Sequence, residues 1–314
     1  MRDEVLVGSR GSALALEQTR WVIERLKRAC PRTSFRVIHI STTGDNILDV
    51  ALAKIGDRGL FTKEIEKALL DGTIDIAVHS MKDVPTALPA GLVIGAVTAR
   101  EDPGDALVSR DGHRLEDLPP GARVGTSSLR RQAQFLAFRP DLNLVAMRGN
   151  LHTRLRKLDE GQVDALVLAR AGLKRLGLEN RITQPVSTAV CLPAVGQGAL
   201  GVEARADDAE ILGMLRLLED PESRVAVEAE RALLARLEGG CQVPIGALAR
   251  FWDQDLVLEA VVSDLDGRRV VRTVEVGPPT APAALGERVA EKLLQLGARE
   301  ILAELREGGP ERRE

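Results

Sequence analysis

Three stretches of this sequence carry residue types and spacings suited to chemistry. The first is Leu237-Glu238-Gly239-Gly240-Cys241-Gln242-Val243-Pro244-Ile245-Gly246. A helical pattern over residues 223–237 stops at two glycines, which can take the left-handed conformations that close a helix, and Pro244 bars a return to helix. Cys241 is therefore expected on a tight turn between a helix and a strand. A thiol there can be a nucleophile, an attachment point or an inert turn residue, and this stretch alone leaves the three open. The second is His79-Ser80-Met81-Lys82-Asp83-Val84-Pro85-Thr86, which follows an apolar strand pattern at 74–78. Ligands of open α/β sheets bind beyond the carboxyl ends of strands, so Lys82 and Asp83 are candidates for chemistry. A solvated Lys–Asp pair on a surface turn is the plain alternative. The third set is the arginines that recur at strand ends and helix starts: Arg10, Arg130, Arg131, Arg148, Arg154 and Arg175. Arginine suits bidentate binding of carboxylate or phosphate.

The elements that must position these residues read as alternating strands and helices. A strand over 4–7 leads through Gly8-Ser9-Arg10-Gly11-Ser12 into a helix over 13–29. Strand, Gly/hydroxyl turn and helix start point backbone N–H groups at an anion, with a plain connection capped by Ser12 as the alternative. Gly125-Thr126-Ser127-Ser128-Leu129-Arg130-Arg131-Gln132 repeats the device with two arginines in the first helical turn. The macrodipole disfavours cations there, which reads as a local cost without structural gain and so as an anion-binding pattern. Further strands are expected at 35–40, 92–97, 107–108, 143–146 and 164–169. The segment 41–58 reads as a long connection, with a helix over 60–70 after it. The glycine-rich run 194–203 is not GxGxxG and reads as a crossing strand or hinge. After helices over 209–218 and 223–237, three strands near 247–251, 256–262 and 270–276 precede a helix over 283–306. That last part forms a small α+β unit with an antiparallel sheet.

Bulk properties exclude several classes. The 314 residues suffice for two or three domains, and 44% hydrophobic with 28% charged residues is ordinary for a globular chain. Aromatic content of 2% without tyrosine, and a net charge of −3, argue against stacking platforms and bulk nucleic-acid binding. No apolar run approaches a membrane span, and Met1-Arg2-Asp3-Glu4 runs straight into a strand, so neither membrane nor secretory signal is expected. Cys30, Cys191 and Cys241 are widely separated, which fits a reducing cytoplasm. His39, His79, His113 and His152 form no metal-ligand spacing, so no metal is expected.

In their joint order these motifs resemble the hydroxymethylbilane synthase (porphobilinogen deaminase) family of tetrapyrrole biosynthesis. The resemblance is carried by the stretches already quoted, by Lys54-Ile55-Gly56 with Gly59-Leu60-Phe61, and by Arg148-Gly149-Asn150. Leu192-Pro193-Ala194-Val195-Gly196-Gln197-Gly198-Ala199 completes it, so that it covers essentially the whole chain. It implies two periplasmic-binding-protein-like α/β domains joined by hinges, with the active site in their cleft, plus a C-terminal α+β domain with a three-stranded antiparallel sheet. On that basis domain 1 is expected at 1–98 and 196–218, domain 2 at 99–195 and domain 3 at 219–314.

The resemblance also implies a transferase of porphyrin and heme biosynthesis that adds four porphobilinogen units to a dipyrromethane cofactor held by Cys241 through a thioether. Asp83 matches the catalytic carboxylate. Lys82, Asp83, Thr126, Ser128, Arg130, Arg131, Arg148 and Gly149 are expected to bind the cofactor. Arg10, Ser12, Phe61, Ser80, Arg154, Arg175 and Gln197 are expected to bind substrate. A cytoplasmic monomer is expected, with no nucleic-acid or membrane partner. His152, Arg170 and the pair Asp57-Arg58 depart from the family's pattern, and Cys30 and Cys191 match no functional motif and read as structural. A non-enzymatic anion-binding protein would share the arginines but gives no reason for the Cys241 turn. A cysteine hydrolase lacks a recognisable histidine partner.

Overall fold

The alternating pattern produces three separate sheets in the computed structural model, which describes residues 2–46, 62–239 and 243–307. In chain order the elements are β1 (Glu4–Ser9), α1 (Ala13–Ala29), β2 (Ser34–His39), α2 (Thr43–Asn46), α3 (Lys63–Leu70), β3 (Ile76–Ser80) and β4 (Leu92–Val97). Next come β5 (Asp105–Ser109), β6 (Arg123–Gly125), α4 (Leu129–Phe138), β7 (Asn143–Val145), α5 (Leu151–Asp159), β8 (Ala165–Ala169), α6 (Arg170–Arg175) and β9 (Gln184–Pro185). The remainder are β10 (Leu200–Arg205), α7 (Ala209–Leu215), α8 (Pro221–Arg236), β11 (Ile245–Trp252), β12 (Asp255–Ser263), β13 (Val270–Gly277), α9 (Pro282–Leu293) and α10 (Arg299–Glu307).

The chain divides into two compact units, whose described residues are 2–46, 62–101 and 198–225 in one, and 102–197, 226–239 and 243–307 in the other. The first holds a five-stranded sheet of order β2-β1-β3-β10-β4. β1 runs parallel to β2 and β3, while β10 inserts antiparallel between β3 and β4. Apolar layers cover both faces. Val22, Ile23 and Leu26 of α1 with Ile211 and Leu215 of α7 pack on one, and Ile65 and Leu69 of α3 pack with Ile74 and Ala77 on the other. Each fully buried Val, Leu or Ile is worth about 1.5–3 kcal/mol relative to exposure. The expected strand at 74–78 is shifted, because pairing with β10 matches Ile76 to Ala204 and Ser80 to Leu200 and so draws His79 and Ser80 into the ladder.

The second unit contains the sheet β7-β6-β8-β5-β9, in which β6 is parallel to β7 and β8, and β5 is antiparallel to β8. Its other sheet, β11-β12-β13, is wholly antiparallel, and α9 buries Leu285, Val289 and Leu293. Both α/β sheets and the C-terminal antiparallel sheet are as expected. The glycine-rich run becomes β10, entered through Gly198, whose φ is 95° and where a Cβ would lie 2.1 Å from the Glu101 carbonyl oxygen. The single helix expected over 283–306 is broken, since Gly297 takes a φ of 110° and separates α9 from α10. Most of the expected connection at 41–58 lies outside the described residues; α2 occupies its start.

Candidate active site

In the first unit the candidate residues stand on one edge of the sheet. β1 and β3 are parallel neighbours with Val7 opposite Ile76, so the turns that follow them, 10–12 and 80–83, lie side by side. Ser12 caps α1 by accepting from the Ala15 backbone N–H at 3.2 Å, and Arg10 is half-buried on the preceding turn. Ser80 ends β3, and Met81, Lys82 and Asp83 form one tight 3-10 turn. Met81 points inward, 2% exposed, and its N–H donates to Ala199 at 3.0 Å. A Cβ on Gly201 would approach the Met81 sulfur to 2.3 Å, so the glycine of β10 makes room for that anchor. Lys82 and Asp83 are left half-buried beyond the strand end, the place where α/β sheets bind ligands.

The second unit treats its arginines in two ways. Ser128 caps α4 at the Arg131 N–H, and the buried Thr126 hydroxyl accepts from Ser128 at 3.2 Å. Arg130 and Arg131 do not project from this helix start into solvent; they are 5% and 6% exposed. Both pair with Asp105, which is fully buried: Arg130 Nη2 to Oδ2 at 2.9 Å and Arg131 Nη2 to Oδ1 at 2.7 Å. Arg130 Nη1 also donates to Leu192 O at 2.5 Å, Arg131 Nη1 to Val167 O at 2.9 Å, and Gln197 Nε2 to Asp105 Oδ1 at 2.8 Å. Although burial opposes ionisation, the two guanidiniums hold the Asp105 carboxyl well below the usual carboxylate range. The expectation of a charge cost without structural gain is thus corrected, since a carboxylate at the start of β5 supplies the gain.

Arg148 and Arg154 are placed differently. Asn150 caps α5 by accepting from Thr153 N at 3.0 Å, and Gly149 takes a φ of 107° at the bend before it. Arg154 Nε donates to Gly149 O at 2.9 Å, and among the described residues no carboxylate pairs with its guanidinium. Burial first, then Arg131 and Arg148, push Arg154 down to about 10. A largely buried cation facing two others is the environment that an anionic ligand would relieve.

Gln197 is buried with its amide directed at Pro103 O and Asp105, and Arg175 stands at the end of α6 rather than at a helix start. Cys241 and Phe61, together with Lys54, Ile55, Asp57, Arg58, Gly59 and Leu60, lie outside the described residues. The helix before Cys241 closes in an unexpected way. Glu238, with φ of 51°, takes the left-handed position, and Gly239 N donates to Leu234 O at 3.0 Å. Gly239 packs closely, since a Cβ there would come within 2.6 Å of the terminal methyls of Ile245 and Leu234, which would have to shift. Cys191 lies within 3.2 Å of Arg130 Nη1 and is buried, and burial pushes its thiol up to about 12, which makes it inert. Arg170 pairs with Asp102 at 2.5 Å, while His152 is exposed in the first turn of α5. Sequence reasoning missed Asp105 and Gln134, whose amide bridges Leu192 N and O. The one available signal for Asp105 was an acidic residue opening an apolar strand.

The donor set fits a polycarboxylate. Among the described residues Arg154 has no acidic partner, Arg148 adjoins it, and the Thr126 and Ser128 hydroxyls and the α4 and α5 N-termini are near in sequence and fold. A dipyrromethane bears carboxylate side chains and is matched by such donors. Among curated proteins the chain is 66% identical to the porphobilinogen deaminase of Desulforudis audaxviator, over 98% of this chain and 100% of that one. It is 58% identical to the porphobilinogen deaminase of Pelotomaculum thermopropionicum over the full length of both. Among solved structures it is similar to the periplasmic aliphatic sulphonate binding protein of Escherichia coli, at 12% identity and a TM-score of 0.42, covering 96% of this chain and 92% of that one. Residues 5–213 match the family described as porphobilinogen deaminase, dipyromethane cofactor binding domain, and residues 224–295 match porphobilinogen deaminase, C-terminal domain. With two family matches end to end and two relatives above half identity over their whole length, the chain belongs to the porphobilinogen deaminase family.

Proposed function

We propose that this transferase makes linear hydroxymethylbilane from four porphobilinogen molecules, with Asp83 as its catalytic carboxylate and Cys241 as the anchor of its dipyrromethane. The observation that carries the reading of the site is the largely buried guanidinium of Arg154 beside Arg131 and Arg148, with no carboxylate against it among the described residues. When bound, the dipyrromethane supplies an electron-rich pyrrole carbon that condenses with deaminated substrate. Cys241 holds that group by a thioether, consistent with a soft thiolate adding to an electrophilic methylene carbon.

Arg148 and Arg154 bind carboxylates bidentately, and the Ser128 and Thr126 hydroxyls with the N–H groups of the α4 start orient them. Arg130 and Arg131 share one buried counter-charge, leaving the pair net positive toward an anionic ligand. Lys82 adds a cation for the dipyrromethane, and Arg10, Ser12, Ser80, Phe61, Arg175 and Gln197 complete substrate binding, with Gln197 acting through Asp105. Asp83, half-buried, orients pyrrole N–H groups by accepting from them. Its negative charge stabilises the cation that develops as ammonia leaves, and it takes a proton in the condensation. The low dielectric of a partly buried site strengthens that stabilisation.

The domains are divided at 98, 195 and 218, and the protein works as a cytoplasmic monomer without nucleic-acid or membrane partners. The low aromatic content and charge of −3 support the lack of a nucleic-acid partner, and no described helix is long and apolar enough to cross a membrane. Intact mass spectrometry of the protein purified from a host that makes porphobilinogen tests the anchor. The expected mass exceeds that of the polypeptide by one dipyrromethane and returns to the bare value in Cys241→Ser. A bare mass in the unsubstituted protein would overturn it.

A further inference from the structure

A buried acid–base cluster lies directly behind the Asp83 turn, and none of the roles above uses it. His79 and Glu203 sit on the same face of the first sheet, because His79 is opposite Gly201 and Ala77 opposite Glu203 in the β3–β10 ladder. That face is covered by α3, which contributes Glu66. The three are 5%, 0% and 6% exposed. His79 Nε2 lies 2.9 Å from Glu203 Oε2, close enough for an ion pair but without hydrogen-bond alignment. His79 Nε2, both Glu203 oxygens and Glu66 Oε1 thus make no aligned hydrogen bond among the described residues.

Burying two carboxylates around one imidazole is costly unless the cluster keeps a proton between them. The charged groups facing Glu66 are Glu203 and His79 from the sheet and Lys63 from its own helix, with Thr62 at the helix start. Burial first, and then the charge of Glu203, push the Glu66 carboxyl above its usual range, while Thr62, His79 and Lys63 oppose that rise. Glu66 thus holds its proton to a higher pH than an ordinary carboxyl, while Glu203 stands against His79. A core built only for stability would fill this layer with the Ile65, Leu69 and Ala77 type of side chain that surrounds it. Buried polar clusters instead fix one arrangement of the elements that carry them.

We propose that His79, clamped by Glu203 with Glu66 behind it, is a positioning residue for Asp83. It locks the last residues of β3 to β10 and α3, and so sets the placement of Ser80, Lys82 and Asp83. His79 is one residue before Ser80 and four before Asp83, and the Met81 anchor into Gly201 of β10 leaves little slack between them. The inference rests on Asp83 being the catalytic carboxylate.

The test uses the full-length, primer-loaded enzyme carrying His79→Gln or Glu203→Gln, with thermal unfolding and intact mass used to count folded, loaded protein. Per loaded molecule, kcat should fall about ten-fold or more with KM within about two-fold, the pattern of a displaced group that acts in the transition state. Glu66→Gln, which mimics the protonated acid, should stay within about two-fold of the unsubstituted rate. In an Asp83→Glu background the His79→Gln loss should shrink to less than about three-fold, since one group acts through the other. An unchanged kcat in both His79→Gln and Glu203→Gln, alongside a dead Asp83→Ala, overturns this inference alone. Near-normal turnover in Asp83→Ala overturns the assignment of Asp83 beneath it. If His79→Gln does not fold, Glu203→Gln, identical in shape to the residue it replaces, decides by the same split.

Discussion

The two α/β sheets solve the same topological problem with opposite buried charge. Each receives an antiparallel strand next to its third parallel-set strand, β10 beside β3 in the first and β5 beside β8 in the second. Each inserted strand brings a fully buried carboxylate, Glu203 or Asp105. Glu203 meets an imidazole and a second carboxylate, whereas Asp105 meets two guanidiniums. The first layer carries an excess of acid and can settle its charge by keeping a proton. The second carries an excess of arginine, which does not give up its proton near neutrality and is relieved by an anion. The proposed function accordingly assigns cation stabilisation and proton transfer to the first sheet, through Asp83, and polyanion binding to the second.

The comparison breaks most visibly at Asp83. Asp83→Ala is expected to keep the fold, with an unchanged far-UV spectrum and retained dipyrromethane, while turnover falls about 100-fold to 10,000-fold. A rate within ten-fold of the unsubstituted enzyme would remove the first sheet's part in the chemistry.

Asp105→Asn sharpens the contrast next. Removing the shared counter-charge leaves two buried guanidiniums uncompensated, and denaturant unfolding at neutral pH should register a loss of about 3–5 kcal/mol. Because the folded-state carboxyl titrates well below its unfolded value, this contribution is present above about pH 4 and is lost as pH falls through the folded value. The gap between the two proteins should therefore be flat from pH 8 to pH 5 and close at stronger acidity.

Arg154→Gln gives the smallest effect and the opposite sign. With its folded value lowered to about 10, charged Arg154 costs the ligand-free protein stability at neutral pH, and that cost fades only between about pH 10 and the unfolded value. Primer-free Arg154→Gln should be more stable by on the order of 1–3 kcal/mol while binding substrate more weakly. Thermal melts of primer-free protein, paired with KM for porphobilinogen, check both halves. Lower stability in the variant would show that Arg154 is an ordinary structural cation.

Much of the candidate site's local geometry was legible because its residues sit in local motifs. The Ser12, Ser128 and Asn150 caps, the Asp83 turn and the arginines after strands follow from a few neighbouring residues, and hydroxyl or amide side chains at helix starts act within three positions of themselves. What the motifs implied about energy was less reliable. Arg130 and Arg131 look like an unpaid cost until Asp105, 25 and 26 positions earlier, is brought under them by the β5–β8 ladder. The left-handed residue before Cys241 is Glu238, because the hydrogen bonds from Glu238 N to Ala235 O and from Gly239 N to Leu234 O close the helix one residue sooner than the glycines suggest.

By itself the sequence determined the alternation of strands and helices, the caps, the family and the chemical types gathered at strand ends, since these depend on periodicity and on contacts a few residues long. The tertiary structure alone decided which charges are paired. Glu203 reaches His79, and Asp105 reaches Arg130 and Arg131, through antiparallel strands inserted from distant parts of the chain. Burial in those layers leaves a carboxylate-rich cluster around one imidazole on the first sheet and an arginine-rich one around a single carboxylate on the second. The energy of a charge is set by its surroundings, and those surroundings are assembled only when remote strands meet.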